Sequence, residues 1–147
     1  MNATSSDSGA GSPERPRVLL ADDHPPMLAL TSALLGRECT VVGSVVDGRA
    51  LLAEAEQLEP DLVVLDITMP GLNGIEAARQ LRYLRHPARL VFLTVHEDSD
   101  YARAALDAGG LGYVVKSRLA SDLLPAIRAA LAGRRFISPT ISLEENT

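Results

Sequence analysis

Cysteine is nearly absent from this chain of 147 residues, since Cys39 is the only one. An intramolecular disulfide is therefore impossible. No apolar stretch approaches the roughly 20 residues that a membrane-spanning helix requires. Residues 1–10 have neither a basic start nor an apolar segment, so they do not resemble a secretory signal. We therefore expect a cytoplasmic protein that does not bind membranes.

Positive charge is also sparse, because the formal net charge is −5 and the Arg and Lys residues are scattered along the chain. This pattern argues against nucleic acid binding by the chain itself.

Glycine-rich phosphate loops are missing as well. Neither a Gly-x-x-x-x-Gly-Lys-Ser/Thr loop nor a Gly-x-Gly-x-x-Gly turn follows the first apolar run, and nucleotide binding is therefore disfavoured.

The composition that remains, with 46% hydrophobic and 22% charged residues, indicates one globular domain. Residues 1–16 are rich in Ser, Gly, Pro and Ala without an apolar period, which predicts a disordered N-terminal tail. We place the folded domain at residues 17–133. Residues 134–147 are predicted to form a C-terminal linker or tail.

Short apolar runs alternate five times with longer amphipathic segments, which predicts βα units and a parallel sheet. The expected fold is a doubly wound α/β domain with strand order 2-1-3-4-5, in which Gly43 favours an edge position for its strand. The predicted strands are 17–22, 40–46, 61–66, 89–94 and 112–115. The predicted helices are 26–36, 48–58, 74–85, 98–108 and 119–132.

Acidic residues follow two of these strands directly. Asp22 and Asp23 end the first strand and Asp66 ends the third, at the edge where ligands bind in open parallel sheets. Two carboxylates at about 5 Å repel by about 3 kcal/mol at an effective dielectric of about 20, so a cation is needed there. A divalent metal and Lys116 are both candidates. Taken alone, the pair Asp22 and Asp23 could also cap helix 26–36.

Five residues in order along the chain carry a family resemblance. An acidic pair at Asp22 and Asp23, then Asp66, Thr94 and Lys116, resembles the receiver domain of two-component response regulators over residues 17–132. The segment 66–74, Asp-Ile-Thr-Met-Pro-Gly-Leu-Asn-Gly, is similar to the loop after the family's phosphorylated aspartate. His24 resembles the Asp-Asp-His start of NarL-type regulators, although an ordinary polar loop residue is the favoured interpretation of this position.

The resemblance implies a phosphorylation-activated switch. Asp66 would attack a phosphorus atom as the nucleophile and receive the phosphoryl group from a sensor histidine kinase or a phosphotransfer protein. The cofactor would be Mg²⁺, with Mn²⁺ as an alternative. Its ligands would be Asp23, Asp66 and the Thr68 carbonyl, with Asp22 acting through water. The phosphoryl group would later be lost by autodephosphorylation.

The resemblance also assigns the residues that bind the phosphoryl group and respond to it. Lys116 would pair with a phosphoryl oxygen, and Thr94 would move inward to donate a hydrogen bond to it. Tyr113, three residues before Lys116, would then change rotamer. The face formed by residues 98–108, 112–115 and 119–132 would carry the signal to a partner. His96 could control access to the phosphoryl group and modulate its hydrolysis.

Ser117 follows Lys116 where many receivers have proline, and a non-proline cis bond costs about 2.5–4 kcal/mol, so we expect a trans peptide. Two alternative functions fit these residues less well. A haloacid dehalogenase-type phosphohydrolase needs a second acid two residues after the nucleophile, where this chain has Thr68. A pseudo-receiver that acts only as an interaction module is disfavoured by the intact acid, threonine and lysine set. No enzyme activity is expected beyond self-phosphorylation and autodephosphorylation.

The residues after the domain suggest an output. Residues 133–139, Gly-Arg-Arg-Phe-Ile-Ser-Pro, resemble the stretch that leads into the helix-turn-helix domain of NarL-type transcription factors. The 15 residues after Ala132 are too few for such a domain, so we expect no DNA binding by this chain. It is either a stand-alone receiver or the receiver part of a transcriptional regulator. A homodimer, through helices 98–108 and 119–132 or through helices 26–36 and 119–132, is a further hypothesis.

Overall fold

Runs of β-branched and aliphatic residues form a parallel sheet at the centre of the molecule. The computed structural model describes residues 15–141 and residue 143. Its first five strands are β1 (Arg17–Ala21), β2 (Thr40–Val45), β3 (Leu62–Leu65), β4 (Arg89–Thr94) and β5 (Gly110–Val115). The short strand β6 (Phe136–Ile137) follows near the end of the chain. All neighbouring strands are parallel, and their order is β2-β1-β3-β4-β5-β6.

Helices connect successive strands and cover both faces of the sheet. They are α1 (Pro25–Leu35), α2 (Gly48–Leu58), α3 (Gly74–Tyr83), α4 (Ser99–Asp107) and α5 (Leu119–Leu131). A short 3-10 turn, Lys116–Arg118, precedes α5. The starts follow local sequence signals: prolines occupy the first turn of α1, and Asp47 and Asn73 accept capping hydrogen bonds from Ala50 N and Glu76 N.

Two apolar clusters form the core, one on each face of the sheet. Alternate strand residues point to opposite faces, so Leu19 and Val63 pack with α2, α3 and α4, whereas Leu20 and Val64 pack with α1 and α5. The strands are therefore buried on both sides, as is typical of a parallel sheet. This double cover fixes the strand ends, and with them the polar residues that follow the strands.

The predicted strand order and helix positions are confirmed, and β2 is an edge strand as Gly43 suggested. The predicted number of strands is wrong, since the sheet has six strands and not five. The missed strand β6 has only two residues, too few for an alternating pattern, and it pairs with β5 at Gly112 and Tyr113. The predicted tails span residues 1–16 and 134–147. Of these residues, 1–14, 142 and 144–147 lie outside the part of the chain that the structure describes.

Candidate functional site

The acidic residues predicted to form a site converge at the carboxyl ends of β1 and β3. Because these strands are hydrogen-bonded neighbours, the residues that follow them lie side by side. One carboxylate oxygen from each of Asp22, Asp23 and Asp66 lies within 4.8 Å of the others. Asp22 is 2% exposed and Asp66 5% exposed, whereas Asp23 faces solvent. Two buried negative charges therefore need compensation at close range.

Lys116 supplies part of that compensation. It follows β5, and its Nζ donates a hydrogen bond of 2.9 Å to Asp66 Oδ2. The same Nζ lies 2.8 Å from Asp22 Oδ2 as an ion pair. Burial lowers the pKa of the Lys116 ammonium, but the Asp22 and Asp66 carboxylates outweigh this effect and raise it above its ordinary value. Lys116 is therefore fully charged at neutral pH.

The charge balance leaves room for a divalent cation. Three carboxylates face one ammonium, and Asp22 Oδ2 is buried without an aligned hydrogen-bond donor among the described residues. Carboxylate oxygens are ligands that Mg²⁺ prefers in proteins. The donor set of Asp22, Asp23 and Asp66 therefore fits a magnesium ion.

Thr68 lies next to this cluster, on the exposed loop that follows Asp66. Its backbone N donates a hydrogen bond of 3.4 Å to Asp66 Oδ1. The bond is long, so it holds the loop near the carboxylate without fully occupying that oxygen. Its hydroxyl oxygen lies 2.8 Å from His96 Nε2, and this bond connects the loop after β3 with the loop after β4.

Two buried side chains extend the site toward β5. Thr94, fully buried at the end of β4, accepts a hydrogen bond of 3.3 Å from His96 N through its hydroxyl. The Tyr113 ring is fully buried, and its hydroxyl donates a hydrogen bond of 2.9 Å to the His96 carbonyl. Burial, followed by the nearby charge of Asp98, raises the pKa of the Tyr113 phenol. Both predicted switch residues thus contact the same backbone, that of His96.

His96 connects more of the site than its sequence position indicated. Its ring stacks on the Tyr101 ring, with centroids 4.0 Å apart and planes at 18°. Tyr101 belongs to the first turn of α4 and was not a predicted site residue. The only sequence signal was an aromatic residue five positions after His96. Through these contacts, the loop after β4 is held by Thr68 on one side and by α4 on the other.

A glycine brings the loop after Asp66 back against the strand. A Cβ atom added at Gly74 would lie 2.0 Å from the Asp66 carbonyl oxygen, which is impossible without a shift of the backbone. Gly74 N also donates a hydrogen bond of 2.7 Å to the Ile67 carbonyl. The sequence Asn73-Gly74 therefore serves both the start of α3 and the placement of Asp66.

The peptide bond after Lys116 and the position of His24 can be compared with their predictions. No cis peptide occurs among the described residues, so the bond between Lys116 and Ser117 is trans as predicted. His24 is exposed, and its backbone N donates a hydrogen bond of 2.9 Å to Asp22 Oδ1. It stands at the start of α1 without a capping hydrogen bond from its side chain.

Comparison with known proteins agrees with this geometry. Residues 18–128 match the family model of the response regulator receiver domain. The chain belongs to this family. Receiver domains are signalling proteins of two-component systems rather than enzymes in the ordinary sense, and they bind Mg²⁺ through an acidic cluster. In this receiver Asp22, Asp23 and Asp66 form such a cluster.

Similar proteins place the receiver among the LuxR and NarL regulators. It is 36% identical to the response regulator GacA of Pseudomonas viridiflava over 128 residues, 86% of this chain and 60% of that protein. It is 35% identical to the nitrate/nitrite response regulator NarL of Escherichia coli K12 over 127 residues, 85% of this chain and 59% of that protein. The receiver thus spans about three fifths of the length of these curated relatives.

A solved structure gives the same result. The LuxR-family response regulator from Aurantimonas sp. SI85-9A1 superposes with a TM-score of 0.85 and 38% identity, covering 90% of this chain and 98% of that one. The similarity to NarL-type regulators was predicted from the motifs, and it is confirmed. Among the described residues of the receiver, no helix has the length and apolar character needed to cross a membrane.

Proposed function

We propose that this receiver is switched on by transfer of a phosphoryl group to Asp66 from a phosphohistidine of a sensor kinase or phosphotransfer protein. The main support is the position of Lys116, whose Nζ lies 2.9 Å from Asp66 Oδ2 and 2.8 Å from Asp22 Oδ2. A cation at this point neutralises the carboxylates and can then meet the charge of an incoming phosphoryl group.

In the transfer, an Asp66 carboxylate oxygen forms a bond to phosphorus while the bond between phosphorus and the donor's histidine nitrogen breaks. The nitrogen leaves and takes up a proton. Lys116 would shift its hydrogen bond from Asp66 Oδ2 to a phosphoryl oxygen, and the Thr94 hydroxyl would turn from His96 N toward another. Mg²⁺ held by Asp22, Asp23, Asp66 and the Thr68 carbonyl would neutralise the charge on the phosphoryl oxygens.

We propose that His96 and Tyr113 respond to this change. If Thr94 turns away from His96 N, the backbone that also accepts the Tyr113 hydrogen bond loses one of its contacts. The change would reach the face of α4, β5 and α5, because Tyr113 belongs to β5. The His96 ring, bonded to Thr68 and stacked on Tyr101, is in a position to limit the access of water and so to modulate autodephosphorylation.

Incubation with acetyl phosphate and Mg²⁺ tests the proposed acceptor. We expect one phosphoryl adduct by intact mass, which Asp66→Ala abolishes and which depends on the divalent metal. Asp107→Ala serves as the matched control, because Asp107 is an exposed aspartate at the far end of α4. An adduct that persists in Asp66→Ala contradicts the assignment, and turnover of an added phosphomonoester would favour the phosphohydrolase alternative.

The length of the relatives supports a proposal for the protein to which this receiver belongs. Since the receiver covers about three fifths of GacA and NarL, we propose that it acts as the receiver part of a transcriptional regulator. This chain alone should then give no shift of DNA in a gel. Dimerisation through α4 and α5, or through α1 and α5, is tested by size-exclusion chromatography with and without beryllofluoride and Mg²⁺.

A further inference from the structure

The segment after α5 does not leave the receiver but returns along the outer edge of β5. Phe136 packs on the cluster beside α5, and Ile137 and Ile141 pack on the cluster beside α4. The segment thus bridges the two faces of the sheet. We call residues 136–141 the strap. It occupies the strand edge at the centre of the surface formed by α4, β5 and α5.

One buried polar residue fixes the strap. The Ser138 side chain is fully buried, its N donates a hydrogen bond of 2.9 Å to the Tyr113 carbonyl, and its hydroxyl accepts one of 3.1 Å from Val115 N. The hydroxyl in turn donates a hydrogen bond of 2.7 Å to Asp122 Oδ2 in α5. Ser138 therefore uses one hydroxyl to join β5, the strap and α5.

Asp122 is held as a charged acceptor for this bond. It is 4% exposed, and Arg118 donates to Oδ2 at 2.8 Å while the Ser121 hydroxyl donates to Oδ1 at 3.0 Å. Burial would raise the pKa of the Asp122 carboxyl, but the hydrogen bonds from Arg118, Ser138 and Ser121 outweigh burial and lower it. A charged acceptor strengthens the bond from Ser138.

The two backbone groups that Ser138 contacts belong to the signalling part of β5. Tyr113 is the proposed switch residue, and Val115 immediately precedes Lys116, which bridges Asp22 and Asp66. Because Ser138 is bonded to both β5 and α5, a displacement of β5 relative to α5 would strain these bonds. Packed elements of this kind change between discrete arrangements and do not deform continuously.

We propose that Ser138 and Asp122 form a latch that holds the strap on β5 and couples its release to the phosphorylation state of Asp66. This inference rests on the proposed function, since the coupling requires an occupied acceptor site. While the strap is attached, it covers the β5 edge. When the latch opens, that edge and the apolar positions under Ile137 and Ile141 become exposed to solvent.

Hydrogen exchange of the Ser138, Ile141 and Val115 amides tests the latch without any phosphoryl group. We expect Ser138→Ala to raise their exchange rates about tenfold, because the hydroxyl that satisfies Val115 N and Asp122 is lost. Ser121→Ala is the matched control, since it also removes a hydroxyl bonded to Asp122 but does not contact the strap. Exchange in Ser138→Ala equal to that of the unmodified chain overturns the latch.

Beryllofluoride with Mg²⁺ then tests the coupling. Its binding should raise strap exchange severalfold in the unmodified chain and in Ser121→Ala, and leave Ser138→Ala unchanged. Coupling is reciprocal, so Ser138→Ala should bind beryllofluoride more tightly by the same factor. Bound beryllofluoride that leaves strap exchange unaltered overturns the coupling. If Ser138→Ala does not fold, the isosteric Asp122→Asn gives the same comparisons.

Failure of the proposed function has a different signature. If acetyl phosphate adds no phosphoryl group at Asp66 and beryllofluoride does not bind, the proposed function is contradicted and the coupling fails with it. The exchange rates of Ser138→Ala and Ser121→Ala without ligand still decide whether the latch holds the strap.

Discussion

At the scale of single residues, Lys116 is the cation that partly neutralises the buried Asp22 and Asp66 carboxylates of the receiver. Its side chain is only 9% exposed, and its ammonium is the cation in contact with both Asp22 and Asp66. Removal of one partner from a buried ion pair leaves uncompensated charge, which destabilises proteins much more than loss of an exposed pair. Stability and phosphoryl binding therefore depend on the same side chain.

Substitution of Lys116 by Met should make the stability of the receiver depend on divalent metal. We expect Lys116→Met to lower the free energy of unfolding by about 3 kcal/mol without metal, because Asp22 and Asp66 lose their counterion. Mg²⁺ should restore more stability in the variant than in the unmodified chain, since it binds the folded state. Urea unfolding with Mg²⁺ and with a chelator measures both effects. A variant equally stable with and without Mg²⁺ would argue against a metal site.

Tyr113 should give a pH-dependent difference in stability. Burial raises the folded-state pKa of its phenol above the unfolded value of about 10, so the folded state binds this proton more tightly. The contribution is therefore present below about pH 10 and lost as the pH rises further. Tyr113→Phe removes the hydrogen bond to the His96 carbonyl, which should lower the free energy of unfolding by about 1 kcal/mol at neutral pH. Because phenylalanine has no phenol proton, the variant should not lose further stability through this residue at alkaline pH. Urea midpoints of the two proteins should converge above about pH 10, and parallel pH curves would refute this.

At the scale of elements, close contacts between helix starts and the segment that follows β3 set the position of the site. A Cβ at Gly48, the first residue of α2, would lie 1.9 Å from the Leu72 carbonyl oxygen, and the corresponding contact at Gly74 is with the Asp66 carbonyl. Both glycines stand at helix starts, after the capping residues Asp47 and Asn73. The loop after β3 is thus held between α2 and α3 by backbone contacts.

The contact at Gly74 predicts a linked loss of stability and of phosphorylation. Gly74→Ala should destabilise the receiver by about 2 kcal/mol or more, because the added methyl group must displace backbone rather than a flexible side chain. The displaced group carries Asp66, so labelling by acetyl phosphate should also slow. Gly36→Ala is the control, since its Cβ would lie 3.4 Å from the nearest atom at a helical φ of −61°. Equal urea midpoints for the two variants would contradict the expected overlap.

The elements also show what sequence patterns can and cannot predict. Asp22 and Asp66 could be placed at one sheet edge because the ends of neighbouring parallel strands must meet there. The stacking of His96 on Tyr101 could not be predicted from the sequence, since it depends on the path of a loop and on side-chain rotamers. The same is true of Ser138 and Asp122, whose hydrogen bond joins residues 16 positions apart in different elements.

At the scale of the whole molecule, the sixth strand alters the surface on which signalling is expected. Five strands would leave the β5 edge uncovered, and an open edge with unpaired backbone groups tends to pair with another chain. The strap pairs with this edge instead, and Phe136, Ile137 and Ile141 pack at its two sides. The sequence pattern predicts that the domain ends at residue 133. The packing of residues 136–141 on the core depends on tertiary contacts, which a sequence pattern does not show.

Truncation of the chain measures what the strap contributes to the whole receiver. A chain that ends at Gly133 should lose about 3–5 kcal/mol of unfolding free energy, since burial of each large apolar side chain contributes about 1.5–3 kcal/mol. It should also associate more strongly in size-exclusion chromatography, because the β5 edge is then open. A chain that ends at Leu143 keeps the described contacts of the strap and serves as the control. If the shorter chain has the urea midpoint and elution volume of the control, the strap neither stabilises the receiver nor protects its edge.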